Sequence, residues 1–117
     1  MKNFNISEFD SPDEVGSGSL MDKRFLEMLD NARNTAGVSF RITSGYRSES
    51  HNKKVGGVPQ SSHRLGKACD IACIGSRHRF LIVNALIEAG FNRIGIAKNF
   101  IHVDNDENKS CDVIWTY

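Results

Sequence analysis

Cysteine is scarce in this 117-residue chain and is not arranged for cross-linking: Cys69, Cys73 and Cys111 are an odd number and form no C-x-x-C pair. That argues against a disulfide framework or a cysteine metal site and favours reduced, partly buried thiols. Cys69 and Cys73 stand in an apolar stretch, where free cysteine behaves as a small hydrophobe. Neither sign of charge dominates, since 15 Lys and Arg against 14 Asp and Glu leave a net +1. A nucleic-acid partner, which calls for a basic face or stripe, is therefore not expected. No apolar run approaches the roughly 20 residues that span a bilayer, so membrane insertion is not expected either. The opening Met1-Lys2-Asn3-Phe4-Asn5 lacks the apolar segment of a secretory signal peptide. The expectation is cytoplasmic synthesis, with any passage across a membrane left to another agent.

What is present fits one ordinary domain spanning residues 1–117, with 39% hydrophobic and 25% charged residues. Residues 1–19 read as an irregular N-terminal segment whose Phe4, Ile6 and Phe9 dock on the body. Met21, Phe25, Met28, Leu29, Ala32 and Ala36 recur at helical spacing, predicting a helix over about 22–36 with Gly37 as its C-terminal cap. Val38 to Thr43 alternates as a half-buried strand. Ser48 caps a short helix reaching Val55, and residues 56–62 form a loop. A strand over Ala68 to Ile74 carries Asp70. Ser76 is placed to cap a helix over about 77–89, with Phe80, Val83 and Ile87 in one apolar row beside Leu86. Three short strands follow, at Arg93–Ala97, Phe100–Asp104 and Cys111–Tyr117, the first two joined by a hairpin at Lys98-Asn99. The fold class is α+β, with two main helices, one short helix and a mostly antiparallel sheet, because no crossover helix separates the last strands.

The chemistry concentrates in Ser61-Ser62-His63-Arg64-Leu65-Gly66-Lys67-Ala68-Cys69-Asp70. Gly66 lets the chain turn after His63, and Ala68 leaves room as it joins the sheet. Asp70 lies in an otherwise apolar strand, where a carboxylate is costly unless paired or metal-bound. Taken alone, His63 is equally a surface or satisfied core residue, and Asp70 a turn cap. His102 adds a third donor. Alternation puts Ile101 and Val103 on the core face, and His102 with Asp104 on the opposite, wetter face. Two histidines and a carboxylate that leave a position to water would make a catalytic rather than a structural zinc site. The plain alternative is a solvated strand face.

Ser61, His63, Gly66, Ala68 and Asp70 fill every fixed position of S-x-H-x-x-G-x-A-x-D, the signature of the M15 zinc peptidases. Ser44-Gly45-Tyr46-Arg47-Ser48 followed by Asn52 resembles that family's S-G-Y-R-S…N segment. Gly90 to Ile96 and Phe100-Ile101-His102-Val103-Asp104 resemble its closing strands. The resemblance covers roughly residues 20–105, with the three motifs in order. The family includes D-alanyl-D-alanine carboxypeptidases, dipeptidases and phage endolysins, and shares its fold with the hedgehog signalling domain. The compact chain and its N-terminal segment are similar to the small peptidases of tailless single-stranded DNA phages.

The resemblance implies Zn²⁺ held by His63, Asp70 and His102, and an Arg47 that binds substrate and steadies the oxyanion. A surface ion pair is the bland alternative for Arg47. It also implies hydrolysis of peptidoglycan stem peptides or cross-links, by an endopeptidase or a D,D-carboxypeptidase. Many members carry an acid three residues before the last histidine, whereas Asn99 stands there and cannot take a proton. Asp104, on the face of His102, is then the expected general base that moves the proton, with orientation of His102 as the alternative. His51 and His78 are expected on exposed helices, with His51 near enough to Arg47 to touch substrate. Ser61 and Ser62 are expected as loop hydrogen-bonders rather than nucleophiles. Asn99 keeps open a rival reading, a non-catalytic zinc-stabilised module that binds cell wall or another protein. A phage structural protein reusing the fold is a third class.

Overall fold

A computed structural model describes residues 1–117. Helix α1 spans Lys23–Ala36, as the pattern predicts. It starts where the Asp22 carboxylate accepts the Phe25 N–H at 2.9 Å and ends at Gly37, whose φ of 70° suits the left-handed cap. Its Phe25, Leu26, Leu29, Ala32 and Ala36 are buried. Strand β1 is Ile42–Ser44, shorter and later than the alternation of 38–43 suggests. Phe40 turns instead into the core against Phe4, and the register slips between Ile42 and Ser44. Helix α2, Glu49–Lys54, is capped by Ser48, whose hydroxyl accepts the His51 N–H.

Strand β2 covers Ala68–Ala72 and stops short of Ile74, which is 80% exposed. The last tie is Cys73 N–H to the Asn99 carbonyl, after which Gly75 at φ 91° redirects the chain. Helix α3, Ser76–Glu88, contains Ser76 in its first turn, so this hydroxyl is not the expected cap. The helix carries two apolar stripes and only one can face inward. The stripe with Ile82, Ala85 and Leu86 packs inward, where α3 lies against α1, because Ala85 permits close approach. Phe80 and Ile87 of the other apolar row are left 70% and 51% exposed.

Strands β3 (Arg93–Ile96) and β4 (Phe100–Asp104) form the expected hairpin. Strand β5 is Val113–Thr116, delayed by the left-handed Asp112 at φ 59°. The sheet order is β1-β2-β4-β3-β5, antiparallel throughout except for β3 with β5. The parallel pair corrects the expectation for the last strand and has a simple cause. The connection 105–112 returns the chain antiparallel to β4 but passes over β3 to the far edge, so β5 runs alongside β3.

One face of the sheet is dry: Cys69, Ile71, Ile94, Ile101 and Val103 join α1 and α3 in a single core. Phe4 and Phe9 join it edge to face at 5.6 Å, whereas Ile6 is 47% exposed and does not dock. The other face carries the polar residues. No helix is long and apolar enough to cross a membrane.

Candidate metal centre

Register assembles the site. Ser44 pairs with Asp70, Asp70 with His102, His102 with Gly95 and Gly95 with Trp115, giving one transverse row across all five strands. Directly opposed residues on one face of a sheet have Cβ atoms about 4.5–5.5 Å apart, so Asp70 and His102 must meet. His102 Nδ1 lies 3.0 Å from Asp70 Oδ1. His63 reaches the same oxygen from the turn before β2, with Nε2 at 3.4 Å. The three donor atoms lie within 4.8 Å of one another.

That turn depends on Gly66, which has φ 70° and donates its N–H to the His63 carbonyl. A Cβ there would strike the Leu20 carbonyl oxygen and come within 2.9 Å of Met21 Cα. Gly66→Ala combines left-handed strain with a backbone clash and is expected to cost about 2–4 kcal/mol, read as a fall in denaturant midpoint. An unshifted midpoint would show that the turn has other solutions.

The donor set fits a divalent cation. Bond lengths of 2.0–2.1 Å in a tetrahedral site put neighbouring ligand atoms about 3.3 Å apart, close to the 3.4 and 3.0 Å found here. The tautomers also suit. His63 Nδ1 is 2.8 Å from the Gly45 carbonyl, which only accepts, so Nδ1 carries the proton and Nε2 is free. His102 Nε2 is 2.7 Å from Asp104 Oδ2, leaving Nδ1 toward Asp70. Burial opposes ionisation of Asp70, but the neighbouring His102 and His63 imidazoles hold its pKa far below the usual carboxylate range. Burial lowers the affinity of His102 for a proton, yet Asp104 and Asp70 raise it on balance.

Arg47 borders the cluster rather than the open surface, its side chain only 16% exposed. Nε donates to Ser44 Oγ at 3.1 Å and Nη1 to Asn52 Oδ1 at 3.3 Å, while Nη2 stands 3.6 Å from Asp70 Oδ2. Burial is the main force on its pKa, lowering it against the opposing charge of Asp70.

Asp104 shares the face of His102, as alternation requires, but that face is not wet at this point: Asp104 is 1% exposed. Its Oδ2 contacts His102, and Oδ1 accepts from Arg93 Nε at 2.7 Å and Asp106 N–H at 3.1 Å. Asp106 in turn accepts the Ser62 hydroxyl at 2.7 Å, and Lys109 donates to Ser62. The chain after β4 is thus tied to the turn that carries His63. Ser61 and Ser62 are loop hydrogen-bonders, as expected. Asn99 sits exposed in the hairpin turn, engaged through its backbone carbonyl. His51 lines a shallow groove with Pro12, Asp13 and Lys54, and His78 is exposed.

The sequence pattern alone does not point to Arg93, Asp106 and Trp115. Alternation in β3 puts Arg93 and Gly95 on one face, a usable signal once β3 is paired with β4. The Trp115 and His102 rings lie 5.6 Å apart, and the Arg93 guanidinium stands 5.0 Å over the indole. Nothing local in 105–117 announces either contact.

Comparison with curated proteins gives no match. Comparison with protein families matches residues 2–104 to Peptidase M15. The matched stretch contains Arg47, His63, Asp70, His102 and Asp104, the residues that sheet register and the 61–66 turn bring together, and the chain belongs to the peptidase M15 family.

Proposed function

We propose that the protein is a zinc-dependent peptidase that hydrolyses peptide bonds in bacterial peptidoglycan, acting on stem peptides or their cross-links. The observation that carries this reading is the convergence of His63, Asp70 and His102 on one sheet face with Arg47 at their edge. Two imidazoles and a carboxylate suit Zn²⁺, which when bound supplies Lewis acidity and lowers the pKa of its water toward about 7. Arg47, fixed by Ser44 and Asn52, aims a guanidinium at the place where the scissile carbonyl oxygen gains negative charge. Asp104 has both oxygens engaged beside His102 Nε2, so we assign it the orientation of His102 rather than proton transfer. An endopeptidase suits a small lytic enzyme better than a carboxypeptidase. The wall would be met after release or delivery of the protein.

The test is metal analysis of the purified protein together with a muropeptide digest. One zinc per chain and newly released peptide ends are expected, both lost in His63→Ala. Absence of zinc would sink the mechanism. A zinc-loaded protein that cleaves no wall substrate would instead be the non-catalytic binding module, the reading that Asn99 keeps in play.

A further inference from the structure

The site face has a second feature that the metal cluster does not explain. Strand β5 lies beyond residues 2–104, the stretch matched to the family. Yet it extends the ligand row, because Trp115 pairs with Gly95 and Gly95 with His102. A Cβ on Gly95 would lie 2.7 Å from indole Cε2 and Nε1, so the ring occupies the space where that side chain would stand. Two residues on, Tyr117 falls on the same face and its N–H reaches the Ile96 carbonyl. Its ring centroid is 5.3 Å from that of Phe100, but the residue is 70% exposed.

Position makes this exposed ring informative. The ligands Asp70 and His102 stand on two adjacent interior strands, β2 and β4. Arg47 flanks them after β1, at one edge of the sheet, and Tyr117 flanks them after β5, at the other. The Tyr117 ring lies against Phe100, which stands two residues from His102 on the same face of β4. A peptide crossing the site would run between a guanidinium on one side and an aromatic ring on the other.

We propose that Trp115 and Tyr117 form the wall of the substrate cleft facing Arg47, with Trp115 bracing His102 and Tyr117 packing its ring against the bound peptide. This rests on the peptidase reading. An aromatic face suits the methyl and methylene groups of a stem peptide, and its loss weakens binding more than chemistry. Tyr117 is then a specificity-determining residue supplied by the last strand.

Trp115 is the single tryptophan of the chain, so its emission reports on the cleft directly. Soluble muropeptides mixed with the zinc-loaded protein are expected to change that emission before product forms. Tyr117→Ala should raise KM about five- to tenfold while kcat stays within about threefold. Its zinc content and melting temperature should match the parent, as the residue is exposed. Tyr117→Phe keeps the ring and should keep the parental KM. A parental KM in Tyr117→Ala overturns the proposal, as does unchanged Trp115 emission with muropeptides that the parent cleaves. If the parent cleaves nothing, the peptidase reading fails and the titration still decides. A Trp115 response that weakens in Tyr117→Ala upholds the cleft wall, and no response overturns it.

Discussion

Asp70→Asn is expected to empty the metal centre and to lower turnover on the order of a thousandfold or more, with the fold retained. The carboxylate is the only anion among the three donors, and one of its oxygens faces both imidazoles. The other faces Arg47. An amide of the same shape offers a single neutral oxygen and cannot offset the charge of a divalent cation. Its NH₂ would also stand next to the guanidinium or an imidazole. In the metal-free protein the loss is modest, about 1–3 kcal/mol, because the part-buried Arg47 loses the charge of the carboxylate beside it while Cys69 and Ile71 still pack in the core. Zinc itself separates the two effects. A ligand that binds only the folded state raises the melting temperature, so zinc should stabilise the parent and leave Asp70→Asn unmoved. A variant that retains stoichiometric zinc and parental turnover would remove Asp70 from the site.

Local chemistry made much of the fold legible. Asp22 and Ser48 bind the N–H groups expected of helix caps, and Gly37 takes the left-handed conformation it was read for. Alternation in β4 correctly divided Ile101 and Val103 from His102 and Asp104. What failed depends on partners distant in sequence. The stripe of α3 that turns inward is chosen by α1, since Phe80 and Ile82 are equally apolar in isolation. The parallel pairing of β5 follows from which edge is free after the β3–β4 hairpin forms. Alternation also says which face Asp104 occupies but not what covers that face. The cover comes from Asp106, Ser62 and Arg93, so a position read as wet is dry. The same limit applies to the candidate metal cluster. Its three donors are visible as residue types, while their meeting needs β2 beside β4 and a turn pinned by Gly66 against Leu20 and Met21.

Asp104→Asn distinguishes a carboxylate that positions His102 from one that moves the proton. If it positions, zinc affinity should fall about ten- to a hundredfold, the usual cost of losing the partner of a ligating histidine. Turnover should then recover when zinc is raised to saturation. If Asp104 is the base, kcat at saturating zinc should stay down by about 10²–10⁴. The geometry favours recovery. Oδ2 sits 2.7 Å from His102 Nε2, the nitrogen turned away from Asp70, and Oδ1 is already shared between Arg93 and the Asp106 N–H. A base would need an oxygen free to meet water on the donor side of the ring, and neither qualifies. Stability should fall as well, by about 2–3 kcal/mol, because Arg93 is 12% exposed and would keep its charge without its anionic partner. That loss is independent of zinc, so melting curves with and without the metal divide the structural cost from the effect on His102. Persistent inactivity at saturating zinc in a folded variant would return Asp104 to proton transfer and require one of its oxygens to swing free of Arg93 during the reaction.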